Sequence, residues 1–134
     1  MAALNTTRTL TLGTITRRPL KTYARWTTQG LLAALFVFAG SAKFTMPPEM
    51  LTAGTPFSAS FIYAIGAFEV LGALGLLASI AGRRVGQLAR PAAAGLVVIM
   101  IGATVTTLLT AGGLGALFPA TVGLLLTWLA TTRR

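Results

Sequence analysis

The chain has 134 residues, of which 54% are hydrophobic and 10% charged, a charge content far below the roughly one quarter of soluble domains and typical of membrane proteins. A formal net charge of +9 would suit nucleic acid, but the basic residues flank apolar runs or lead into them, which excludes that partner. The absence of Cys and His excludes disulfides, thiol chemistry, Cys-ligated clusters and His-ligated haem or zinc.

Residues 1–23 are rich in Thr, contain no acid and lack a sustained apolar period, so they are expected to stay mobile or lie on the membrane surface. Within them, Thr16-Arg17-Arg18-Pro19-Leu20-Lys21 resembles a twin-arginine export signal with the next apolar run as its h-region. That run is long for an h-region, and Ala39-Gly40-Ser41-Ala42 is a loose cleavage site. A basic anchor holding this end in the cytoplasm is the preferred reading. An organellar transit peptide would share the composition.

A first membrane span is predicted at 24–44, with Trp26 as an interfacial aromatic and Pro47-Pro48 as the stop. Residues 46–60 form a loop of Pro, Gly and small polar residues whose only charge is Glu49. The second span, 61–81, is long enough to cross a hydrocarbon core of about 30 Å. A short basic loop with Arg83, Arg84 and Arg90 leads to a chargeless third span, 92–111. Gly112-Gly113-Leu114-Gly115 is a tight turn, and the fourth span, 116–131, ends at Trp128 and a basic tail, 132–134. This span is short, so it must borrow from the turn or thin the bilayer.

The fold class is therefore all-α: a four-helix transmembrane domain over 24–131. With four spans the termini share a side. That side collects Arg17, Arg18, Lys21, Arg25, Arg83, Arg84, Arg90, Arg133 and Arg134, against Lys43 alone on the other. The positive-inside rule places both termini in the cytoplasm.

Glu69 is the one charge in 61–81 and lies about 12 Å below the surface at 1.5 Å per residue. A lone carboxylate at that depth costs about 2.5–3.5 kcal/mol on insertion scales, so it should be protonated, paired or facing a polar cavity. Lys43, about one turn before the Pro47-Pro48 stop of the neighbouring span, is the natural partner. Three readings stay open: a pair at a binding or proton-handling site, a structural clasp between two helices, or no contact. Hydroxyls such as Thr104, Thr106 and Thr107 would extend a polar network or bond their own backbone.

Small residues mark close helix approach in membranes. Gly40, Gly66, Gly72, Gly75, Gly102 and Gly123 are assigned to helix packing, with a shared ligand cavity as the alternative. No catalytic or metal-ligating residue is proposed.

The first span ending in FVFAGSAKF, followed after a loop by IGAFEVLGALGLL, resembles the DoxX-like family of small four-span membrane proteins. Gly40, Lys43, Glu69, Gly72 and Gly75 stand at the family's characteristic Gly and Lys of span one and Glu in a Gly-rich span two. The similarity covers 25–129. It implies association with a membrane-bound thiosulfate:quinone oxidoreductase activity, with oxidant-defence assemblies or with receptor assembly. The leading expectation is an accessory or anchoring subunit in the plasma membrane, a bacterial inner membrane, that holds a membrane or redox protein partner, or a quinone-like lipophile or lipid, in a bundle organised by Glu69 and Lys43, with a homo-oligomer as the other assembly. The alternative is a small proton- or cation-coupled transporter using Glu69. A catalytic quinone-reducing subunit is the third reading, weakened because the chain has no redox-active side chain of the usual kinds.

Overall fold

The computed structural model describes residues 20–82 and 86–132. The readings made for 1–19 and for Arg83, Arg84, Arg133 and Arg134 lie outside the described residues.

Helix α1 spans Leu20–Thr45. Residues 20–23, assigned from the sequence to the N-terminal segment, are already helical; no proline interrupts the run up to Met46. Met46 N–H makes a last bond to Ala42 O at 3.2 Å, and Pro47 has no N–H with which to continue. The segment read as loop contains a short helix α2, Pro48–Thr52. Pro48 pre-sets a helical φ and lacks only the N–H that a first turn leaves unbonded, and Glu49 adds a negative charge there. The prolines that stop α1 thus start α2.

Gly54, at φ +73°, turns the chain in the left-handed region that a side chain would strain. Ser58 Oγ accepts from Phe61 N at 3.4 Å and so caps helix α3, Ala59–Ala81. A single 3₁₀ turn, Gly86–Leu88, leads into α4, Ala89–Thr110. Pro91 falls in the first turn of α4, where its missing N–H is harmless. Gly112, at φ +84°, makes the turn into α5, Gly113–Thr131, which therefore takes in residues 113–115 and reaches 19 residues.

Helix α1 packs on α3, α3 on α4, α4 on α5, and α5 returns to α1. The register is antiparallel throughout. Gly40 faces Gly66 across α1 and α3, Gly75 faces Ala92 and Gly72 faces Leu96 across α3 and α4, and Gly123 faces Met100 across α4 and α5. The core of Leu32, Ala33, Phe36, Ala73, Leu76, Ala93, Leu96, Met100, Val122, Leu126 and Leu129 fills the half of the bundle nearer the start of α1 and the end of α5.

Two polar side chains of α1 are buried at this same end. The Arg25 guanidinium donates to Thr132 O at 2.6 Å and Leu129 O at 3.4 Å, satisfying carbonyls that the end of α5 leaves open. Gln29, fully buried, donates to Leu76 O at 2.5 Å and to Ser79 Oγ, fastening α1 to α3.

The outer surface is apolar on every long helix, with Leu31 and Phe38, Phe68 and Leu71, Val98 and Ile101, and Leu117 and Leu124 exposed. A water-soluble monomer rarely shows so large a continuous apolar surface; lipid tails accept it. The helix Ala59–Ala81, the helical stretch Gly86–Thr110 and the helix Gly113–Thr131 are each long and apolar enough to cross a membrane. In α1, Arg25, Gln29 and Lys43 dilute the apolar run. The chain is thus a membrane protein whose described residues are all-helical, with three such helices and a fourth long one packed against them among those residues.

Candidate functional site

At the α2 end of the bundle, Lys43 Nζ lies 2.6 Å from Glu69 Oε2. The Glu69 side chain is 5% exposed and that of Lys43 24%. The contact depends on a glycine pair. A Cβ on Gly40 would stand 2.7 Å from Gly66 O, and one on Gly66 would stand 3.3 Å from both Cβ and Cδ of Lys43. Two bare backbones therefore meet, and the lysine stem lies across Gly66. Side chains in a helix lean toward its N-terminus, which for Lys43 points along α1 into the bundle. The ammonium accordingly folds back, donating also to Ala39 O at 3.4 Å.

A cavity of about 710 Å³ opens beside the pair, a size that suits a small organic ligand. It is walled by Ala39, Ala42 and Lys43 of α1 and by Met46 just after it, by Phe61, Ile65 and Glu69 of α3, and by Val98, Gly102 and Ala103 of α4; Met50 and Leu51 of α2 also line it. The void exists because alanines and a glycine stand where larger residues would fill it. The hydroxyls do not join the pair: Thr106 Oγ1 donates to Gly102 O at 2.9 Å and Thr107 Oγ1 to Ala103 O at 2.7 Å, each satisfying itself within α4. The site therefore presents one ammonium and one carboxylate at the edge of an apolar chamber. Such a pair can donate to one ligand oxygen and accept from a ligand hydroxyl.

The small residues fall into two classes. Gly72 and Gly75 are required by α3–α4 packing, since a Cβ at either would stand 2.7 Å from Leu96 or Ala92. Gly123 meets Met100 Cβ at 3.3 Å. Gly102, assigned to packing from its spacing, has nothing within 4 Å of a would-be Cβ and lines the cavity instead. Spacing gives the face of a helix but not what stands opposite it. The sequence also placed Arg25 with the flanking charges, whereas it is buried at 7% exposure; its spacing of four from the buried Gln29 was the available signal.

The sequence model of the DoxX-like family matches residues 27–130, which include α3, α4, both members of the ion pair and every glycine named above. Comparison with curated proteins and with solved structures finds no match. The match spans well over half of the chain, and this protein belongs to the DoxX-like family.

Proposed function

We propose that this protein crosses the plasma membrane four times and serves as an accessory or anchoring subunit of a quinone-linked redox assembly. In this reading it holds a quinone-like lipophile in the cavity beside Lys43 and Glu69. The observation that carries it is the cavity itself. A pair that served only to clasp two helices needs no void next to it, whereas a headgroup with oxygen acceptors needs both the ammonium and the space. The family's association with quinone-linked activity supplies the ligand class.

The fourth crossing is α1. Within the crossing, Arg25 and Gln29 are buried and bonded and Lys43 is paired, while the exposed Lys21 stands in the first turn. Its outward residues include Leu31 and Phe38. A helix whose charges are satisfied inside the bundle meets lipid as an apolar cylinder. The excess of Lys and Arg at the other end puts both termini in the cytoplasm.

The chain has no Cys, so single cysteines report topology cleanly. In intact cells a membrane-impermeant maleimide is expected to label Thr55→Cys and to spare Thr22→Cys and Gln87→Cys, which stand at the start of α1 and after α3 on the other side, with the reverse after inverting the vesicles. Labelling of Thr22→Cys from the same side as Thr55→Cys would reject the α1 crossing and with it four spans. Purification in mild detergent tests the role: a partner protein or a bound lipophile is expected to travel with the chain. Recovery of the chain with neither would overturn the proposal.

A further inference from the structure

We propose that the ligand's tail is held as well as its headgroup, in an apolar groove between α3 and α4 that adjoins the cavity. This inference rests on the headgroup reading above. The groove has a volume of about 470 Å³ and shares Ile65, Val98 and Ile99 with the cavity. It runs along α4 as far as Pro91, about 12 Å from Ile99 at 1.5 Å per residue. No charged group or hydroxyl lines it, so it offers a polar headgroup nothing and an alkyl or prenyl chain a matching surface.

Gly95 is the telling residue. Gly72 and Gly75, on the facing helix, are bare because a methyl there would strike α4. Gly95 lines the groove, and a Cβ there would meet nothing within 4 Å. Helix packing therefore does not require it; what its bareness does is leave the groove open. Gly102 does the same for the cavity. The two lie seven residues apart, about two turns along one face of α4. The occupant is the tail of the molecule whose head sits at Lys43 and Glu69, because the groove adjoins the cavity and shares the wall residues Ile65, Val98 and Ile99 with it.

The test measures equilibrium binding of decylubiquinone, and of the same benzoquinone without a tail, to the purified full chain in nanodiscs. In Gly95→Phe, decylubiquinone affinity is expected to fall by about tenfold or more, the scale of losing a few buried methylenes, while the tailless compound binds as in the wild type. Comparing variants at one ligand cancels its partition into lipid. If Gly95→Phe does not fold, the smaller Gly95→Leu carries the same expectation. Unchanged decylubiquinone binding in a folded variant would overturn the tail site, assign the groove to bulk lipid and leave the headgroup reading standing. Failure of both compounds to bind the wild-type chain would overturn both.

Discussion

Glu69→Leu is expected to lower the stability of the folded bundle by about 3 kcal/mol and to abolish lipophile binding, whereas Lys43→Met combined with Glu69→Leu recovers most of the stability and none of the binding. The single change leaves an ammonium whose one ionic partner among the described residues is gone. Removing one member of a buried pair costs about 3–5 kcal/mol, and the 24% exposure of Lys43 places this case at the lower end, because the amine is free to turn toward the mouth of the cavity. Removing both members replaces two desolvated charges with apolar contacts, which is commonly neutral. The double substitution thus separates clasp from site. Denaturant titration in detergent, read as a double-mutant cycle, gives the coupling; binding of decylubiquinone gives the function. A double variant that binds as the wild type would leave the pair with a purely structural role. A single variant unchanged in both measurements would remove the pair from the account altogether.

The second large effect is at the glycine crossing. Gly40→Ala adds one methyl group, placed 2.7 Å from Gly66 O and 2.8 Å from Val70 Cγ2. The first of these is backbone and has no rotamer by which to yield, so α1 and α3 must separate. Overpacking of this kind costs about 1–3 kcal/mol. It also lengthens the Lys43–Glu69 contact, so binding is expected to weaken together with stability. Gly102→Ala is the matched control. Its methyl enters open space, and replacing Gly in a helix interior favours the fold by about 0.5–1 kcal/mol. The two substitutions are chemically identical and are expected to shift the unfolding midpoint in opposite directions. If Gly40→Ala proves as stable as Gly102→Ala, close approach of backbones does not hold α1 against α3.

Much of the local architecture was legible because its causes are local. Pro47 and Pro48 stop α1, Gly112 makes the last turn, and the long uncharged runs of α3, α4 and α5 are readable one residue at a time. The short helix α2 was missed because two prolines signal a break more loudly than a start, although Pro48 does both. The site was half legible. Glu69 is conspicuous as an acid in an apolar run and Lys43 as the nearest base, yet a pair at a binding site, a structural clasp and no contact at all stayed open to a reading of spacing.

The sequence by itself determined that this chain is helical and belongs in a membrane, because the cost of burying each residue in hydrocarbon adds up along the chain without reference to any other segment. It also singled out the acid that such a ledger cannot leave alone. Only the tertiary structure decided that Lys43 reaches it, that Gly66 makes room for the lysine stem while Gly102 opens a chamber, and that Arg25 is buried. Those outcomes depend on which atoms stand opposite one another across helices far apart in the chain. Gly66 and Gly102, each set in Ile-Gly-Ala, therefore have different roles.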